Sequence, residues 1–340
     1  MIRKVFIPTL ILIFLFIGFY YRQWLVYGIS QLKGQLNIIY NAQPIGEVIE
    51  NPLTPDSIKT KLLLIREIKK FAVDSLGLSE TNNYETYYDQ KGEPALWVLT
   101  AAPEFKMEPY KWHYPFLGSL SYKGFFQKQK GVYELQLLKK KGFDADLSTV
   151  SAWSTLGWFG DPVMSSMMRK NVGSLAELII HEMTHTTLYV KGNVTFNENL
   201  ATFIGEIGAE KFLSDKFKGD SVILTNYVNQ RNDNRIFSEF VVSSSATLDT
   251  LYNDVSFKML PYSDKLRLKY QKIASIVLRI SKLPLNNLQK FEWNLKSKKL
   301  PDNTWFLSYS DYHALQPEIS RVYNDSCNSS IRKLIKYYKK

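Results

Sequence analysis

Cysteine is almost missing from this chain of 340 residues: a single one, Cys327, stands near the C-terminus. One thiol excludes a disulfide framework and a thiolate zinc cluster, and no cysteine lies near the N-terminus to carry a lipid. Histidine is nearly as scarce, with four in the whole chain, so two close together would carry weight. Long apolar runs are absent except at the very start. The net charge of +11 comes without a paired zinc knuckle or an RNP-like aromatic strand. Its lysines are scattered, so they read as solvated basic surface, and no nucleic-acid partner is expected. What is present is the composition of a packed globular protein, with 45% hydrophobic and 14% aromatic residues.

The one apolar run spans Val5 to Tyr21, preceded by Arg3 and Lys4 and ended by Arg22. Its seventeen residues would rise about 25 Å as a helix, slightly less than a bilayer's hydrocarbon core. Tyr20, Tyr21 and Trp24 suit an interfacial belt, and no small-x-small cleavage site follows. The expectation is an N-terminal membrane helix over residues 1–26. It would tether a domain of residues 27–340 on the extracytoplasmic, periplasmic side.

Within that domain the patterning predicts an α+β fold, with a small mixed sheet in the first half and packed helices around it. Apolar spacing predicts a helix over about Ser57–Leu76, and Ala95–Ala101 reads as a buried strand. An amphipathic helix is expected over Phe125–Lys141. A second strand is expected within Asp144–Phe159, ended by Gly160-Asp161-Pro162. Everything after Ala201 looks mainly helical, with a helical C-terminal part from about residue 214.

Ser174-Leu-Ala-Glu177 has the form of a capping box before an apolar run, and Gly192 supplies a stop. Between them lies His181-Glu182-Met183-Thr184-His185. Positions i and i+4 of a helix share a face, so both imidazoles can reach one metal ion. Glu182 stands beside them, where it can deprotonate a metal-bound water. In a chain of this length such a match arises by chance only about 1% of the time. The spacing therefore outweighs a reading as two core histidines, and one Zn2+ ion is expected, held by His181 and His185.

A catalytic zinc needs a third protein ligand. The alternative with a third histidine fails, because Leu188 and Lys191 occupy the glycine and histidine positions of that motif. Glu198, in Phe196-Asn197-Glu198-Asn199-Leu200-Ala201, is the favoured carboxylate, because a short turn would return it toward His185. Thr195-x-x-Glu198 is also a capping box, which is its bland reading. Glu206 is the fallback ligand, or a group orienting a ligating histidine. Tyr309, Tyr312 and His313, or Tyr189, are candidate donors to an oxyanion. Thr155, Leu156 and Gly157 could align a peptide substrate by backbone pairing.

These residues resemble a known pattern. Asn197-Glu198-x-x-Ala201 after a His-Glu-x-x-His helix resembles the gluzincin peptidases, although only 12 residues separate His185 from Glu198. A nearer resemblance is to the bacterial family called putative aminopeptidases. It rests on Trp112-x-Tyr-Pro115, Tyr122-x-Gly124-Phe125-Phe126, Ser154-Thr-Leu-Gly-Trp-Phe159 with Asp161-Pro162, Leu188-Tyr-Val-Lys-Gly192 and Phe196-Asn-Glu198. The resemblance implies a zincin-like active-site helix and zinc-dependent aminopeptidase activity. His181, His185 and Glu198 would be its ligands and Glu182 its base. The competing expectations are an endopeptidase, or a tethered envelope protein that keeps a zinc site without catalysis. Glu182 favours an enzyme, since a purely structural metal has no use for a base.

Overall fold

The computed structural model describes residues 21–114, 118–149, 160–218, 221–291 and 300–339. The chain is mixed and mostly helical. It opens with α1 (Arg22–Asn41), β1 (Gln43–Pro44) and α2 (Ile45–Glu50). Next come α3 (Asp56–Phe71), β2 (Thr86–Tyr88) and β3 (Trp97–Pro103). The hairpin β4 (Trp112–Tyr114) and β5 (Gly118–Leu120) leads to β6 (Tyr122–Phe125), α4 (Lys128–Lys140) and β7 (Phe143–Thr149). After β8 (Val163–Met164) the described chain is helical: α5 (Val172–Thr187), α6 (Val194–Lys216), α7 (Ser221–Asn253), α8 (Val255–Met259) and α9 (Tyr262–Ile280). It closes with α10 (Asn303–His313), α11 (Gln316–Arg321) and α12 (Ile331–Tyr338).

The sheet content is divided. β6, β3 and β7 form an antiparallel sheet with β3 in the middle, so Leu99, Ala101 and Ala102 of β3 are buried. β1, β2 and β8 form a separate sheet in which β8 runs parallel to β2. The helix expected from Phe125 starts three residues later, because Phe125 ends β6 opposite Trp97. Leu138 of α4 then packs against the sheet with Phe125 and Ala145.

Two larger cores lie outside that sheet. In the first, α3 contributes Leu62, Ile65 and Ile68 against Leu175, Ile179 and Ile180 of α5 and Ile204 and Leu213 of α6. In the second, Phe237, Val241 and Leu248 of α7 meet Ile273 and Ile276 of α9 and Phe306 of α10. A buried polar hub ties this helical part to the sheet. Lys269 of α9 has no exposed surface, and its Nζ donates to Asp144 Oδ2 at 2.6 Å and to the Glu104 carbonyl at 2.8 Å. The same Asp144 oxygen accepts the Asn303 backbone N–H, at the start of α10. Removing either charge would strand the other in the core, so the pair fixes the geometry whatever its net contribution to stability.

The expectation of a membrane helix is corrected. Among the described residues no helix is long and apolar enough to cross a membrane. Residues 1–20, which carry most of the apolar run, lie outside the described residues. α1, which follows, bears Arg22, Lys33, Gln31, Gln35 and Asn37 and packs on the protein itself. Tyr27 Oη and Gln31 Nε2 both donate to the Gly124 carbonyl of β6, at 2.9 and 3.0 Å. A membrane partner and a tethered location on the periplasmic side lose their support with it.

α5 and α6 run closely side by side, and two glycines allow it. A Cβ at Gly205 would sit 2.9 Å from the Glu177 carbonyl and 3.2 Å from His181 Cβ. One at Gly208 would sit 2.8 Å from Leu76 Cδ1 and 2.9 Å from Ile180 Cγ2. The backbone carbonyl cannot move aside as a side chain can, so Gly205→Ala should destabilise the fold by about 1–3 kcal/mol in urea unfolding. An unchanged midpoint would show that the two helices are free to separate.

Candidate metal centre

The motif helix α5 is capped three residues before the expected position, Ser174. Asn171 is the N-cap, its Oδ1 accepting the Ser174 N–H at 2.8 Å. The expected capping box does not form, because Ser174 Oγ instead accepts from Gln230 of α7 and Glu177 from Tyr227. At the other end Thr184 and Thr187 turn their hydroxyls back onto the carbonyls of Ile180 and Met183, the bonds that let threonine sit inside a helix. The helix ends at Thr187, and Gly192, at φ 81°, falls in the turn that follows.

That turn is held by a side chain. Asn197 is 2% exposed, its Oδ1 accepts the Val190 N–H at 2.8 Å, and its Nδ2 donates to the Val190 carbonyl at 2.9 Å. Asn193, not Thr195, caps α6, so Glu198 lies inside the helix rather than at its cap. Clamp and cap together return Glu198 to the two histidines.

His181 Nε2 and His185 Nε2 are 3.2 Å apart. Glu198 Oε2 lies 3.3 Å from the first and Oε1 3.5 Å from the second. The donor atoms of the three residues all fall within 4.8 Å of one another, and all three side chains are mostly buried. Glu206, the fallback, is not part of this group. His185 Nδ1 is buried with no hydrogen-bond partner among the described residues, so packing and Nε2 alone set that ring's orientation.

The electrostatics fit a shared site. Burial pushes the Glu198 carboxyl up, but hydrogen bonds from His181 and His185 outweigh it and hold the group at about 2. Burial pulls the His181 imidazole down, and the Glu198, Glu182 and Glu177 carboxylates more than reverse that. The Glu182 carboxyl is raised, first by burial and then by Glu198 and Asp161, against the pull of both histidines. Beside it lies Tyr84, 1% exposed, whose backbone takes φ 63°. A reciprocal pair of bonds between Asn83 and Asp161 holds that turn.

The tyrosines divide. Tyr312 is 43% exposed, and its ring lies roughly parallel to that of His181, with centroids 6.5 Å apart. Tyr189 meets His185 edge-on at 6.3 Å. Tyr309 instead packs with Phe237, Trp305 and His313 in the second core, and burial raises its phenol to about 12. Burial likewise lowers His313 to about 4. Thr155, Leu156 and Gly157 lie outside the described residues.

Sequence reasoning missed a second acidic group beside His181. Glu177 precedes His181 by one helical turn and accepts from Tyr227 Oη at 3.0 Å. Glu206 is raised to about 8, first by burial and then by Glu177, against Arg231 and Arg235. Only the glutamate spacing i−4 from a histidine hinted at this. It could not be weighed without knowing that α6 and α7 cover that face.

A family model described as "Putative aminopeptidase" matches residues 26–340. The chain belongs to the putative aminopeptidase family. In this aminopeptidase family the match takes in the whole of the site just described and nearly the whole chain. No curated protein and no solved structure matches it.

Glu206 makes a pH signature. The folded carboxyl stays protonated up to about 8 while the unfolded one ionises near its ordinary 4.5. The native state then binds more protons, so its stability falls as pH rises through that window, by up to about 1.4 kcal/mol per unit. Unfolding of the metal-free protein should show this slope, and Glu206→Gln should flatten it. An equal slope in both proteins would refute the burial argument.

Proposed function

We propose that this member of the aminopeptidase family is a zinc-dependent peptidase. His181, His185 and Glu198 would hold one Zn2+ ion, and Glu182 would be the catalytic base. One observation carries the reading: the two Nε2 atoms lie 3.2 Å apart, and each has its own Glu198 carboxylate oxygen beside it, Oε2 at 3.3 Å from His181 and Oε1 at 3.5 Å from His185. Zinc bound at about 2.1 Å in tetrahedral geometry sets its ligand atoms about 3.4 Å apart. Two imidazoles and one carboxylate, with no thiolate, form a hydrolytic donor set that leaves a fourth position open. The family description supports peptide hydrolysis at an N-terminal residue.

Zinc, when bound, supplies Lewis-acid polarisation and makes water acidic near neutral pH. Glu182 accepts the proton of the attacking water and returns it to the departing amine, and burial makes its carboxylate a stronger base than an exposed one. Tyr312, whose ring lies beside His181, would donate to the developing oxyanion. Tyr309, turned into the second core, is given no part. Asn197 acts through the turn it clamps, and Glu177 through its field on His181. Residues 27–340 act as one unit, with the helical part from about 214 joined to the sheet by the Lys269–Asp144 pair.

Metal analysis and kinetics on four proteins test this. Wild type should bind one zinc and release N-terminal residues from peptides, and chelation should abolish the activity. Glu182→Gln should keep the zinc and lose about 10²–10⁴-fold in kcat/KM. Glu198→Ala should lose the zinc and Glu206→Gln should keep it. Zinc retained by Glu198→Ala, or full activity in Glu182→Gln, would overturn the assignment.

A further inference from the structure

Tyr227 of α7 reaches the junction of the two site helices. It is 4% exposed, and its Oη stands 3.0 Å from Glu177 Oε2 of α5 and 3.3 Å from the Glu206 carbonyl of α6. The hydroxyl has a single proton, and the nearer, charged acceptor takes it. Glycine makes room for the ring: a Cβ at Gly173 would sit 2.3 Å from Tyr227 Cδ2. Next along α7, Gln230 Nε2 donates to Ser174 Oγ at 3.0 Å, and Asn171 Nδ2 donates to Gln230 Oε1 at 3.2 Å. Polar side chains of α7 thus grip the opening turns of the motif helix.

What Tyr227 holds is placed by the helix itself. Glu177 and His181 lie one helical turn apart within α5, so they are neighbours on one stripe, with Cβ atoms about 5–6 Å apart. Side chains on a helix lean toward its N-terminus, so the His181 imidazole lies over the turn that carries Glu177. α6 closes the other side, because the Cβ position of Gly205 is 2.9 Å from the Glu177 carbonyl and 3.2 Å from His181 Cβ. The half-buried Glu177 side chain is left between the ligand stripe and α7, where Tyr227 fixes its carboxylate. A hydroxyl donated to a carboxyl oxygen favours its ionised form. His185 has no counterpart. The residue one turn before it is His181, and its Nδ1 is buried with no hydrogen-bond partner among the described residues.

We propose that Tyr227 is a positioning residue for the metal centre: it holds the Glu177 carboxylate one turn below His181, where that charge strengthens Zn2+ binding. The proposal rests on the metal reading above and extends the site to a third helix. Two neutral imidazoles and the Glu198 carboxylate leave a bound dication half neutralised. A fixed carboxylate one turn away, screened from water by three helices, offsets part of the remainder. Neither Tyr227 nor Glu177 is a ligand, since among the described residues the donor group holds only His181, His185 and Glu198.

The test measures the zinc dissociation constant by competition with a chromophoric chelator, together with the urea midpoint of each zinc-free protein. Glu177→Gln keeps a side-chain oxygen for Tyr227 but not the charge, and should weaken zinc binding about 10–100-fold. Tyr227→Phe removes only the hydroxyl and should weaken it by a smaller factor, about three- to tenfold, since the charge stays but is no longer fixed. The double variant should bind zinc no worse than Glu177→Gln alone, because the hydroxyl acts through the carboxylate. Gln230→Ala cuts the neighbouring bond between α7 and α5 and should leave the zinc constant unchanged. A merely structural tie would lower the urea midpoint in Tyr227→Phe and Gln230→Ala alike and leave zinc binding as it is in wild type, which would overturn the proposal. Unchanged zinc binding in Glu177→Gln, or additive losses in the double variant, would do the same. A wild type that binds no zinc would overturn the metal reading itself, and this proposal with it.

Discussion

The close packing of α5 on α6 is the constraint on which the rest of this molecule depends. His181 and His185 lie on one helix, Glu198 on the other, and the turn between them is short. The three side chains meet only if the two backbones approach within the reach of a glycine. Gly205 provides that approach at the level of His181 itself, and Gly208 continues it one turn on against Ile180 and Leu76. The register is set at the turn by Asn197, whose single amide satisfies both polar backbone groups of Val190. Sliding one helix past the other would break two buried hydrogen bonds and move Glu198 off the imidazoles.

A second layer of polar contacts brings the distant part of the chain to the same place. Asn199, next to Glu198, donates to the Thr195 carbonyl and accepts the Leu315 N–H, while Gln316 donates to the Asn199 carbonyl. These bonds pin the end of α10, and with it Tyr312, above the metal ligands. The start of α10 is pinned by the buried Asp144, through the Asn303 N–H. The helix that carries Tyr312 is thus held at both ends by buried polar groups, so its position over His181 is specified rather than incidental.

What was legible in the sequence was local. His181, Glu182 and His185 share one face because of helical periodicity, and nothing elsewhere in the chain can change that. The helix over residues 57–76 and the strand at Trp97–Pro103 were also visible, since each buries a continuous or periodic apolar set. Cap assignments failed twice in the same manner. Ser174 and Thr195 have the right neighbours, yet Asn171 and Asn193 sit earlier and take the caps. Long-range partners were beyond reach: the Tyr227–Glu177 bond and the Lys269–Asp144 pair both join distant segments. The apolar N-terminal run read as a membrane helix by composition alone, while the helix that follows carries Arg22, Lys33 and amides and packs on β6.

The central claim is that two imidazoles and one carboxylate from two adjoining helices form a single metal site. X-ray absorption at the zinc edge of the zinc-loaded protein tests it directly. The account predicts two imidazole nitrogens at about 2.0–2.1 Å, oxygen ligands at about 2.0–2.2 Å and no sulfur. A shell with fewer than two imidazoles, or one containing the Cys327 sulfur, would contradict it.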